Sequence, residues 1–265
     1  MRSLGICIVG LAVLAAVIGA WLVPFDPAAQ ELALRLEGPS RLHWMGLDEL
    51  GRDILARVMA GARVSLVVGL VVVSASASIG ALMGSLAGYY GGLVDDVISR
   101  IIDVLLAFPG LLLAIALVAV IGPSLTNVVL ALSSIGWVGY ARVVRAQVLQ
   151  AREFEYVTAA RAIGAATPRI LVRHVLPAAL PALTVQATLG MAGAILSEAA
   201  LSFLGLGVQP PTPSWGAMLN YGRAHMFDAP HLTVFPGIAI ALVVFGLNLL
   251  GDGLRDDLQR GDSTR

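Results

Sequence analysis

Long uninterrupted apolar runs, not alternating ones, organise this chain. A helix needs about 20 apolar residues to cross a hydrocarbon core of about 30 Å, and windows of that kind fall at residues 4–23, 65–88, 101–121, 124–141, 178–206 and 232–250. Six predicted spans make an all-α, polytopic membrane protein, because backbone amides in lipid must be satisfied within their own segment. The pattern divides the chain into three parts. Residues 1–64 form an N-terminal anchor with an external loop and an elbow helix, residues 65–254 a five-helix transmembrane domain, and residues 255–265 a cytoplasmic tail. The first run follows Arg2 and ends near the small residues Gly19 and Ala20, as a secretory signal would. Its roughly 20 apolar residues exceed the usual h-region of about 7–15, so it is read as an uncleaved anchor.

Within the runs, Ser76, Gly80, Gly84 and Gly88 recur every fourth residue. Such a small-residue face lets a second helix backbone approach closely. Pro109 and Pro236 are expected to kink or locally open their helices. Glu198 is the one carboxylate deep in a late run, and Asp103 lies nearer an end. A lipid-facing carboxylate is costly, so Glu198 is expected to face the bundle interior, either as a hydrogen-bonding tie or as part of a pathway or gate. In the first external loop, Asp48 is expected to cap a helix whose stripe is Ile54, Leu55, Val58 and Met59. Arg52, Asp53 and Arg57 would then face the other way, the helix lying along the membrane surface. The external "QPPTPSWGAML" has the character of a docking or gating loop, or equally of a connector.

The loop over residues 142–177 differs from its surroundings in carrying six arginines, Arg142 to Arg173. Tyr156, Ala159, Ala160 and Ile163 are spaced i, i+3, i+4 and i+7, one face of a short helix. Gly164 supplies a stop, and Thr167 followed by Pro168 a start, with the hydroxyl as N-cap and proline at the first helical position. Two short helices with a bend are therefore predicted. Alanines anchor poorly in lipid and pack well in a protein groove, which favours a protein partner over an amphipathic hairpin on lipid.

Composition then narrows the classes. The chain is 58% hydrophobic and 13% charged, with a mean hydropathy of +0.86. All 17 basic residues are arginine, which excludes a lysine-based phosphate loop and gives no nucleic-acid footprint. The single cysteine, Cys7, excludes an internal disulfide and a multi-cysteine metal site. Basic loops stay in the cytoplasm. An inside N-terminus places eleven arginines inside (Arg2, Arg100, the six of the loop, Arg255, Arg260 and Arg265) and six outside. Both termini and the loop are thus expected in the cytoplasm, and residues 24–64, 122–123 and 207–231 outside. An ion-coupled carrier would need paired intramembrane charges or broken-helix repeats. A membrane hydrolase would need a nucleophile and base; His43, His174, His225 and His231 fall in predicted loops, with no HExxH or GxSxG.

The segment "EYVTAARAIGAATPRILVRHVLPAALP" from Glu155 resembles the EAA loop of permease subunits in binding-protein-dependent ABC importers. Ala159, Ala160 and Gly164 match its alanine pair and glycine, and His174, Leu176 and Pro177 its closing segment. Thr158 replaces the acidic residue that names the motif, which removes any salt bridge expected there. "HWMGLDELGRDILARVMAGARVSLVVGL", "GYYGGLVDDVISRIID", "LSEAALSFLGLGVQPPTPSWGAML" and "NLLGDGLRDDLQ" resemble further blocks of the C-type permease subunit of dipeptide, oligopeptide and nickel importers. Together they span most of residues 43–259.

The resemblance implies a type I importer permease in a bacterial or archaeal cytoplasmic membrane. Its partners would be a homologous B-type permease, two ATPase subunits and an external solute-binding protein, besides membrane lipid. The loop, with Tyr156, Ala159, Ala160, Arg161, Ile163, Gly164, Pro168, His174 and Pro177, would form the coupling helix seated in an ATPase cleft. No cofactor is expected on this chain; ATP and Mg would be held by the ATPase partners, so the chain itself is not an enzyme. Peptide is the expected cargo, with nickel chelates or another small solute as the alternative.

Overall fold

Apolar length sets the architecture. The computed structural model describes residues 2–262. Its helices are α1 Arg2–Leu22, α2 Ile54–Tyr90, α3 Gly92–Leu106, α4 Gly110–Ile121 and α5 Leu125–Ala151, followed by α6 Glu155–Ala162, α7 Thr167–Ile170, α8 Leu176–Phe203, α9 Trp215–Gly222 and α10 His231–Asp262. Among the described residues the only β-type pairing is the isolated bridge between Leu47 and Asp53. Five helical segments are long and apolar enough to cross a membrane, and the bent pair α3–α4 makes a sixth. The predicted all-α, six-span plan holds.

The four-residue spacing of small side chains on α2 finds its counterpart in α5. A Cβ added at Gly80 would lie 2.4 Å from Tyr140 Cβ, one at Gly84 2.4 Å from the Ala141 carbonyl oxygen, and one at Gly88 2.9 Å from the Arg145 carbonyl oxygen. Positions rise together on both helices, so α2 and α5 run parallel with backbones in contact, the close approach that small faces permit. α1 instead runs antiparallel to α10. Gly246 meets Ile8, Gly253 meets Arg2, and Arg2 pairs with Asp257. Both chain ends therefore lie at one end of the bundle.

Three expectations change. The elbow is not a separate helix: α2 runs 37 residues without a break, about 55 Å at 1.5 Å per residue, so its first turns project beyond a 30 Å core. Its N-cap is Asp53, which accepts from the Ala56 amide, whereas Asp48 caps the preceding turn through the amides of Leu50 and Arg52. Arg52, Asp53 and Arg57 are buried, not turned to solvent. Arg52 donates to Asp48 Oδ2 at 2.6 Å, Arg57 Nε lies 3.4 Å from the same oxygen, and Arg57 donates to the Pro27 carbonyl. His43 Nδ1 sits 2.9 Å from Asp53 Oδ2. Mutual pairing offsets the cost of burying these charges, and Trp215 closes the cap by donating to the Val58 carbonyl at 2.9 Å.

The kink expected at Pro109 is present, so the run at residues 101–121 is not one straight span. α3 and α4 meet at 84°, with Pro109 as the N-cap of α4. Alone, the 12 residues of α4 reach about 18 Å. Pro236, by contrast, leaves α10 unbroken, and residues 255–262 of the expected tail are the end of that helix, with residues 263–264 outside the described residues. Arg265 lies outside the described residues.

The α2–α5 contact yields a direct test. Gly84→Leu must displace α5 backbone and should cost at least the 1–3 kcal/mol typical of overpacking. Gly10→Leu, where an added Cβ meets nothing within 4 Å, should be nearly neutral. Thermal unfolding of the two purified variants measures the difference; equal midpoints would mean that α2 and α5 do not touch along this face.

Candidate functional site

The arginine-rich loop begins where α5 ends at Ala151. Phe154 is the N-cap of α6, and Gly164 closes it at φ +82°, the left-handed conformation glycine adopts freely. The Gly164 amide donates to the Arg161 carbonyl and the Ala165 amide to the Ala160 carbonyl, both at 3.1 Å, the pair of bonds that defines a Schellman cap. The predicted second short helix is different. Its N-cap is Ala166, without a side-chain bond from Thr167, and Pro168 falls second in the helix. α7 then passes through a π turn, Leu171–Val175, directly into α8. Pro177 lacks the amide that would bond the Arg173 carbonyl four residues earlier, and that carbonyl sits in the wide turn, where the proline ring is accommodated.

Inside the loop, Val157 and Ala160 pack with Val144, Val148, Ala151, Ile170, Val175 and Ala179. Ala160 is therefore only 7% exposed, turned into its own chain, which corrects its place on the outward docking face. Eight residues with several alanines leave the facing of a helix open until its neighbours are present. The outward stripe is Tyr156, Ala159 and Ile163, the last 85% exposed. Arg161, Gly164, Pro168 and Pro177 are also exposed, and His174 is half-buried.

Polar contacts fasten this loop to the rest of the bundle. Tyr156 donates to the His174 carbonyl at 3.4 Å, and the Arg161 guanidinium stands 5.4 Å over the Tyr89 ring. Arg152 donates to the Gly88 carbonyl at 2.9 Å. Arg145 donates twice to Asp95, each bond 2.6 Å, joining α5 to α3. α6 thus packs against the neighbouring ends of α2, α5 and α8, and α5 is tied in turn to α3.

Glu198 lies in the interior as expected, with no exposed surface. Ser202 donates to it at 2.7 Å and Ser65 at 3.2 Å, while the Val208 amide donates to the Ser202 hydroxyl. It ties α8 to α2 and to the segment after α8. The pathway-like space is elsewhere. A cavity of about 270 Å³ lies among α2, α4, α5 and α8, and Ser76, Tyr140, Gln186 and Ser197 are its polar walls. None of these four was singled out as a pathway residue, although Gln186 is a lone amide in the run "ALPALTVQATLGM". Gly80, Gly84 and Gly88 serve the α2–α5 contact.

Removing the carboxylate should leave two buried hydroxyls without their acceptor. Glu198→Leu is expected to destabilise by about 1–3 kcal/mol, the cost of unsatisfied buried groups. Glu198→Gln, which keeps one carbonyl oxygen, should lose less than half of that in the same thermal unfolding measurement. A larger loss with glutamine than with leucine would contradict the tie.

Against known proteins, residues 80–261 match the family described as the binding-protein-dependent transport system inner membrane component. The chain is 49% identical over 249 residues to the glutathione transport system permease protein GsiD of Shigella flexneri serotype 5b, covering 94% of this chain and 82% of that protein. It is 46% identical over 258 residues to the dipeptide transport system permease protein DppC of Alkalihalophilus pseudofirmus, covering 97% and 85%. A solved structure of the MetNI methionine ABC transporter in an inward-facing conformation superposes with a TM-score of 0.59 at 19% identity, over 75% of this chain and 95% of that one, so it shares the fold. With the family matched over most of its length, the chain belongs to the binding-protein-dependent transport permeases, the membrane subunits of ABC importers.

Proposed function

We propose that this chain forms half of the transmembrane pathway of an importer for short peptides, paired with a homologous permease, driven by two ATPase subunits and loaded by an external binding protein. The cargo assignment is supported by relatives named for glutathione and dipeptides at 46–49% identity. The observation that carries the coupling role is α6. It offers Tyr156, Ala159 and Ile163 outward while Val157 and Ala160 root it in the core. ATP and Mg belong to the ATPase partner, into whose cleft α6 fits. Closure of the ATPase pair pushes α6, which bears on α2 through Arg161 and on the end of α5 through its core, and the ties of α5 through Arg152 and Arg145 carry the tilt of the bundle between two access states.

In this reading the end of the bundle that carries Arg2, Asp257 and α6 is cytoplasmic, and the cap around Asp48 is external. The rule that positive loops remain inside supports it. In a Cys7→Ser background, Phe227→Cys should react with a membrane-impermeant maleimide in intact cells, and Ile163→Cys only after permeabilisation. The reverse pattern would invert the assignment.

The docking test uses Ala159→Glu rather than a change at Ala160, which would damage the chain's own core. Bulk and an unpaired carboxylate in a tight interface should remove roughly 3 kcal/mol, over 100-fold in affinity. Ala159→Glu should insert and pair with the second permease, yet recover little ATPase on purification and support little peptide uptake. Phe227→Glu, 98% exposed on a loop at the other end, should recover ATPase normally. Full recovery with Ala159→Glu would remove α6 from the coupling interface.

A further inference from the structure

The cavity among α2, α4, α5 and α8 has walls that its structural surroundings do not explain. On α8, Gln186, Gly190, Gly193 and Ser197 follow one helical face, and all four line it. Across from them stand Tyr140 of α5 and Ser76 of α2. Ser76 is 1% exposed, and its hydroxyl has no hydrogen-bond partner, a state it shares with Ser85 and Ser133, which do not line the cavity. Such a buried hydroxyl costs about 1–3 kcal/mol unless something satisfies it. Nor does the Gln186 amide bond any other described residue. Gly193 leaves open space, since a Cβ added there would meet nothing within 4 Å, while Gly190 and Gly136 seat the Tyr140 hydroxyl and Ser76 Oγ against their backbones, where a Cβ would lie 2.1 Å and 2.6 Å from them. At about 30 Å³ per water, the volume equals about nine waters, enough for a residue or two of extended peptide.

The chemistry of the lining selects the part of a peptide that fits. No charged side chain borders the cavity, so a terminal ammonium or carboxylate, or a charged side chain, would gain no ionic partner there. A carboxamide offers one acceptor and two donors, and hydroxyls offer both. This set is complementary to a neutral –CO–NH– unit, which every peptide repeats regardless of sequence. We propose that this cavity is a transient binding site for the backbone amide of the transported peptide, with Gln186 and Tyr140 pairing with its N–H and C=O. The inference rests on the peptide reading above and adds a selectivity element in the permease itself. Uncharged partners suit a pathway, because a few neutral hydrogen bonds orient cargo without holding it.

The test uses the complete importer, with its binding protein, in proteoliposomes. Uptake of labelled alanylalanine, trialanine and glutathione is compared with that of the same compounds N-methylated at a backbone amide. Gln186→Leu is expected to lower uptake of the unmodified peptides by about three- to tenfold, the size of one lost hydrogen bond, and to change the N-methylated ones little. The preference for the free N–H should shrink accordingly. Because the binding protein is the same throughout, a changed ratio belongs to the permease. Should Gln186→Leu fail to assemble with the ATPase, Tyr140→Phe, which removes one oxygen atom, carries the same comparison. An unchanged ratio in an assembled variant overturns the proposal and leaves the importer reading intact. If the unaltered importer assembles but moves none of the three peptides, the peptide reading fails and this site with it.

Discussion

Backbone contact between α2 and α5 is the constraint on which the rest depends. Gly80, Gly84 and Gly88 hold no side chain that could stand between the two helices, and in lipid, where apolar burial drives little association, such packing is what joins them. Once they are joined, the floor of the central cavity, the Arg152 bond to Gly88 and the platform beneath α6 all follow. A side chain at any of the three glycines would push α5, and the loop that follows it, away from α2.

Polar groups in this molecule divide into three kinds by how they are satisfied. The cap residues Asp48, Arg52, Arg57, His43 and Asp53 answer one another, and Glu198 is answered by two serines. Ser76 is left unanswered beside an open space. Ser85 and Ser133 are unanswered as well but do not border that space, whereas the Gln186 side chain does, so a structural carboxylate and an open polar wall are distinguished even though both lie deep in apolar helices.

Much of this was legible in the sequence, and for a definite reason. Span number, the stop at Gly164 and the small-residue face of α2 are local properties of composition and spacing. What was not legible depends on direction in space. Hydropathy locates residues 101–121 and Pro109 announces a kink within them, but neither gives its angle of 84°. The spacing of Tyr156, Ala159, Ala160 and Ile163 marks a stripe, yet only Val144, Val148 and Ile170 decide that Ala160 lies on its inner edge. Arg52 and Arg57 read as surface residues because charge usually is; their burial rests on Asp48, whose pairing no periodicity announces. α9 did have a signal, Ser214 as N-cap ahead of Trp215.

The unbroken length of α2 has a mechanical consequence. At one end it is rooted in the Asp48 ion cluster, and at the other its Gly88 carbonyl is held by Arg152. A stiff rod of about 55 Å that pivots near its middle moves its two ends in opposite directions. A tilt of about 5° displaces each end by about 2.4 Å on that length, comparable to the sliding of packed helices in shear motions. The Asp48 cap and the loop around α6 are then two ends of one lever, and a shift of a few ångströms at one end of the bundle is felt at the other with no relay of side chains between.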